Sequence, residues 1–375
     1  MPLHSPLGLS VRLAWRTSRS CRTRLLPLGA HPAPSLVQRR NKYNQRSRPL
    51  RPYQPPSALP ELGQNNFQGE ISGGPQNVDY TVLPNGRVRY LRPGLWALAV
   101  STGIVVGCAY LEAKKQIKEE KKKKNNSWPQ LPQILPTPPQ GPPRSLAEVA
   151  TRVWTKQNEM MKVSVSLTGA NLLVHASRFV VPRFWDTLWH LPVRNVNYTQ
   201  FTCIFVHSGA IHLGFNVFAI NNFIAAANHT PVFESSPHHI VSFYLAAGVL
   251  STFVQHLATL IPPPAHRKAV PEIFVRCGGA SGALFAIFGL VCTQFPTAGL
   301  KILMLPFRFE AQYVLPALIL FDFVGMVRPY KIINIGHAAH LSGTLIGVAY
   351  SYFDGKNNLW NPLVRCFKRQ LQESS

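Results

Sequence analysis

Apolar positions in this chain gather into long stretches without charge. Asn195–Phe233, Ser235–His266, Cys277–Leu300 and Ile332–Phe353 contain no Asp, Glu, Lys or Arg. A bilayer span needs ~20 mostly apolar residues, and these stretches are long enough to provide several. Gly94–Leu111 is a separate uncharged run with Trp96 and Tyr110 near its ends, where interfacial aromatics sit. Six further segments follow, near 162–182, 201–227, 239–261, 281–295, 311–327 and 335–353. The first of the six is weak, interrupted by Asn171, His175 and Arg178. The pattern predicts an all-α polytopic membrane protein with one separated helix ahead of a block of six.

Polar punctuation divides the rest. Lys114–Lys124 holds seven lysines, a stop-transfer-like run, and Trp128–Pro143 holds seven prolines, which suit an extended linker. Val78–Tyr90 alternates enough to form a strand or to stay extended. The expected divisions are a basic segment 1–60, a polar region 61–93, a first span 94–111, a Lys/Pro-rich linker 112–161, a six-helix block 162–355 and a tail 356–375.

Composition changes this picture little, but charge adds to it. Only 14% of the 375 residues are charged, against ~25% in an ordinary soluble chain. The formal net charge is +24, and residues 1–60 contribute ten Arg and one Lys with no acid. An Arg-, Ser- and Leu-rich start without acids and without a secretory h-region reads as a mitochondrial transit peptide. No folded basic-aromatic patch follows, so nucleic acid is not an expected partner. Cys21, Cys108, Cys203, Cys277, Cys292 and Cys366 show neither a CxxC nor metal spacing, and a disulfide framework is not expected.

Chemistry is carried by polar groups inside the apolar segments, where they are costly and therefore functional candidates. His212 and Asn216 are four apart and share one helical face. That pair serves equally well as interhelical glue. Gly278 and Gly279 break the backbone before Ser281, and the run from Ser281 to Phe295 makes a helix of only ~22 Å. Such a helix starts below the membrane surface, with Ser281 among free backbone N–H donors able to stabilise an oxyanion. In the segment GHAAHLSGTLIG, His340, Gly343 and Gly347 share a face, and Gly343 and Gly347 let another backbone approach. Gly282, Ala286 and Gly289 form the matching small stripe. Alternating spans make the segments at 201, 281 and 335 run in the same direction, which brings His212, Asn216, Ser281 and His340 to one depth. A serine, a histidine base and further donors are the parts of a serine hydrolase. No Asp or Glu is placed to orient His340, so a dyad is expected; Asp322 on the neighbouring span is the only carboxylate nearby and is given a structural part. No HExxH, carboxylate pair, Walker loop or Rossmann loop is present, so neither metal nor cofactor is expected.

GASG around Ser281, HLGFN at 212–216 and AHLSG around His340 resemble the three signatures of the rhomboid intramembrane serine proteases. The resemblance covers about 162–355, and the basic start with one helix before six is similar to the mitochondrial branch of that family. It implies a 1+6 helix arrangement and a rhomboid protease domain at 162–355. It also implies a multi-pass location in the mitochondrial inner membrane, with single-pass transmembrane proteins as clients. The matching roles are Ser281 as nucleophile, His340 as base, and His212, Asn216 and the Gly279 backbone at the oxyanion. Many rhomboids carry Tyr four residues after the serine; here that residue is Phe285. Two other classes remain open on the residues alone: a catalytically silent rhomboid-like adaptor and a small transporter, although the inverted repeats of a transporter are not found.

Overall fold

The structure is a computed structural model that describes residues 87–125, 145–261, 272–301, 307–328 and 335–374. All of them belong to one compact unit, Asn65–Ser375. The basic segment 1–60, most of the polar region 61–93 with its alternating piece, and the proline stretch lie outside the described residues.

Eleven α-helices appear among the described residues: α1 Leu91–Asn125, α2 Leu146–Lys156, α3 Glu159–Val180, α4 Pro182–Thr187, α5 Thr199–Thr202, α6 Ala210–Asn228, α7 Pro237–Leu257, α8 Ser281–Gln294, α9 Ala311–Val327, α10 His337–Tyr352 and α11 Asn361–Glu373. Each apolar stretch read from the sequence is occupied by a helix, namely α1, α3, α6, α7, α8, α9 and α10. Local chemistry marks the starts. Ser145, Asn158 and Ser236 cap α2, α3 and α7 through their side-chain oxygens, and Pro182 and Pro237 open α4 and α7 where a missing N–H costs nothing. Among the described residues, three helices are long and apolar enough to cross a membrane: α1, α6 and α7 with its short continuation to Leu260. α8 and α9 are apolar but shorter.

Several boundaries differ from expectation. The first helix does not stop at Leu111 but runs on through the lysines to Asn125. Lys, Glu and Gln are good helix formers, and no Gly or Pro intervenes before Pro129. The expected linker 112–161 therefore contains the end of α1 and all of α2. The expected tail carries α11, whose Val364 and Phe367 pack with Trp360 on Ala109 and Ala113 of α1. A two-stranded antiparallel hairpin, Gly299–Lys301 with Arg308–Glu310, joins α8 to α9 and departs from a purely helical chain.

The core lies around α8, nine of whose fourteen residues are buried. α8 packs most closely on α10, and the reason is the small stripe. A Cβ at Gly343 would strike the Gly282 carbonyl, one at Gly347 the Ala286 carbonyl, and one at Gly289 the Thr344 carbonyl. The two backbones touch. α1 and the residue pair before it are held on α7 and its cap by four polar contacts: His256 Nε2 bonds the Arg89 carbonyl at 2.8 Å, Ser101 donates to Ala246, and Glu112 accepts from Ser236 at 2.9 Å and meets His238 at 2.8 Å.

Candidate active site

The glycine-lined contact between α8 and α10 sets the central geometry. Ser281 opens α8 and His340 lies in the first turn of α10, with Ser281 Oγ 2.8 Å from His340 Nε2. His340 is 8% exposed and Ser281 only partly so. The imidazole is clamped on its other face by Phe285, one turn after Ser281, at 4.2 Å between ring centroids and 9° from parallel. Gln255 of α7 accepts a hydrogen bond from the Ala339 N–H at 3.1 Å, satisfying one free donor at the start of α10.

An acid does face the histidine. Asp322, buried on α9, has Oδ1 3.7 Å from His340 Nδ1, outside hydrogen-bond distance, and 2.7 Å from His337 Nδ1. Asp322, the one carboxylate that the sequence places nearby, therefore bonds His337 and only approaches His340. Asp322 and His337 form one buried pair, and His340 lies at its edge. α9 runs antiparallel to α10, which brings a residue distant in sequence beside the first turn of α10.

The approach to Ser281 is shaped by Gly279, whose φ of +134° is open to glycine and strained for other residues. A Cβ there would come within 3.0 Å of the His212 ring. The Gly279 N–H donates to the Cys203 carbonyl at 2.9 Å, so it is committed elsewhere and not free for an oxyanion. That corrects its expected part as a donor: Gly279 supplies backbone shape. The Ala280 N–H points to His207 Nε2 at 3.5 Å. The N–H groups beginning at Ser281 have no acceptor inside α8, as at any helix start.

His212 and Asn216 reach the same region from the first half of α6. His212 sits against Gly279, and its Nδ1 pairs with Ser208 Oγ at 3.1 Å, which leaves Nε2 on the Ser281 side. Asn216 is buried one turn deeper and donates to the His212 carbonyl at 2.8 Å. An Asn amide has two donors, so one hydrogen of its NH₂ remains. Sequence reasoning gave His207 and His337 no part, yet both are buried beside the site, and His207 lies 5.1 Å from His212 between ring centroids. Their spacing on the chain carries no signal of this.

Comparison with known proteins agrees with the architecture. Residues 194–357 match the rhomboid domain family. The chain is 33% identical to the mitochondrial presenilin-associated rhomboid-like protein of Bos taurus over 174 residues, 45% of this chain and 42% of that protein. Against the Mus musculus protein of the same name the figures are 33% over 165 residues, 43% and 40%. Against presenilin-associated rhomboid-like protein A, mitochondrial, of Danio rerio they are 31% over 175 residues, 46% and 41%. The matched region thus spans about two fifths of the length of these curated relatives, which are mitochondrial by name. The apolar helices are those of a multi-pass membrane protein. The region similar to the rhomboid domain family thus takes in the helices that carry Ser281 and His340.

Proposed function

We propose that the protein is an intramembrane serine endopeptidase of the mitochondrial inner membrane, threaded as one helix followed by six. The observation that carries this reading is the 2.8 Å contact between Ser281 Oγ and His340 Nε2. In the mechanism it supports, His340 takes the Ser281 proton as Oγ attacks the scissile carbonyl of a client helix. It then returns that proton to the leaving amine, and water hydrolyses the acyl-enzyme. The Phe285 ring holds the imidazole in place. Asp322 favours the imidazolium through space at 3.7 Å, where a charge counts for more than in water. The developing oxyanion meets the free N–H groups at the start of α8, the His212 Nε2 side and the second amide hydrogen of Asn216.

Helical peptide bonds are shielded by their own hydrogen bonds, so a client must unwind to reach Ser281. Clients with Gly, Pro or polar residues near the scissile bond meet that need most cheaply. The test is a fluorophosphonate probe on the membrane-reconstituted protein, read beside cleavage of a single-pass client. Labelling at Ser281, absent in Ser281→Ala, is the expected outcome. An unlabelled Ser281 with no cleavage would leave a rhomboid-like adaptor that binds client helices.

A further inference from the structure

Among the described residues the most isolated amphipathic element is α2, and the family match at 194–357 does not include it. Leu146, Val149, Ala150, Val153 and Trp154 recur at helical spacing and line one face. Glu148, Thr151, Arg152, Thr155 and Lys156 occupy the other. None of the eleven residues is buried, and the apolar face stands open, with Leu146 89% and Val153 53% exposed. Local bonds contribute to the helix. Ser145 Oγ accepts from the Glu148 N–H at 3.1 Å, and Arg152 pairs with Glu148 one turn apart. Isolated helices below ~12–15 residues are marginal in water, so this one needs a surface to hold it.

Its place in the fold says which surface. Only Gln157 and Asn158 separate α2 from α3, and Asn158 caps α3 with a 2.7 Å bond to Met161 N. α3 runs antiparallel to α6, since Ser164 near its start bonds Asn221 in the second half of α6 at 2.8 Å. The start of α6 lies beside Gly279 and Ser281, so α2 sits at the opposite end of the bundle from the serine. At that end Glu159 is held below the usual carboxylate range by its bond to Lys162, with Lys115 of α1 adding to the effect. The lysine-rich end of α1 is therefore its neighbour. The row of exposed apolar residues on α3, Met161, Val165, Leu172 and Leu173, faces outward directly after the turn.

We infer that α2 is an in-plane anchor whose Leu146–Val149–Val153–Trp154 face is seated in the headgroup–acyl boundary of the bilayer, at the end of the bundle opposite Ser281. The apolar stripe enters the acyl boundary, Trp154 takes the interfacial position such rings favour, and Lys156 meets lipid phosphate. A helix lying flat before the turn into α3 fixes the depth at which that span begins, and with it the depth of the bundle.

The test uses the full chain in phospholipid vesicles, with an environment-sensitive fluorophore on Val153→Cys or Thr155→Cys. The signal of the identically labelled unsubstituted chain is subtracted to remove the native thiols. Both sites are exposed, so neither substitution disturbs packing. Lipids carrying a nitroxide near the top of the acyl chain should quench the Val153 probe roughly threefold more than the Thr155 probe, as expected for a face buried in the boundary. That difference should persist as the protein is diluted in the membrane. Equal quenching at both sites would overturn the inference. So would a shielded Val153 probe that lipid nitroxide does not reach, or one exposed by dilution of the protein, since each would mean that a second copy or another protein covers the stripe.

Discussion

Phe285 lies face to face on His340, 4.2 Å between ring centres and 9° from parallel, and so fixes the plane in which the imidazole meets Ser281. The contact needs an aromatic ring one helical turn after the serine and needs no hydroxyl on it. Phe285→Tyr should keep turnover close to that of the parent. Phe285→Ala should lower kcat about fivefold, in line with the ~1 kcal/mol that such aromatic pairs contribute. Steady-state cleavage of a client in vesicles separates the two, and an unchanged rate for the alanine variant would show that α10 packing alone aligns the histidine.

Ser281→Ala and His340→Ala should each remove cleavage while leaving thermal stability within ~1 kcal/mol, and the double variant should be no worse than either single one. Turnover retained by Ser281→Ala would sink the mechanism.

Asp322→Asn keeps the volume of the side chain and removes its charge. Because Asp322 bonds His337 and only approaches His340, we expect a loss in kcat of about tenfold, equivalent to ~1.4 kcal/mol, with KM little changed. A loss as deep as that of His340→Ala would mean that Asp322 is a full third member of the catalytic set.

His212→Ala and Asn216→Ala should each cost ~10²–10³-fold in kcat if they help hold the oxyanion. Asn216 also spends one amide hydrogen on the His212 carbonyl, and His212 pairs with Ser208, so either loss should reduce the melting temperature as well. Equal falls in stability with unchanged rates would assign both residues to packing.

Gly347→Val places atoms where the Ala286 carbonyl already lies. Overpacking of this kind typically costs ~1–3 kcal/mol, and more where the neighbour is backbone. The measurement is thermal unfolding in detergent, with activity falling in parallel because α8 and α10 must separate.

How much of this was legible beforehand depends on whether the signal is local. Ser281, His212, Asn216 and His340 announce themselves as polar groups in apolar runs, and the glycines beside them state the close approach that α8 and α10 show. The helical stretches follow from apolar run length. The bond between Asp322 and His337 was not legible because it joins two helices, and no periodicity on one chain segment reports what a second segment presents. Gly279 was misjudged for a similar reason. Its N–H is free by position, but the Cys203 carbonyl from a distant turn takes it. The long continuation of α1 could have been read from its uninterrupted helix formers, had the lysines not suggested an ending.

The first helix is fastened along its whole length: Arg89 to His256, Glu112 to Ser236 and His238, Ala109 and Ala113 beneath α11, and Glu120 to Lys368. Its covalent link to the bundle through 126–144 is therefore only one of several ties. A cut in that stretch should yield two pieces that migrate as a single particle in mild detergent and part only on denaturation. For such a molecule a nick is a change in chain connectivity rather than the release of a subunit, and a shortened band on a denaturing gel says nothing about what has left the membrane.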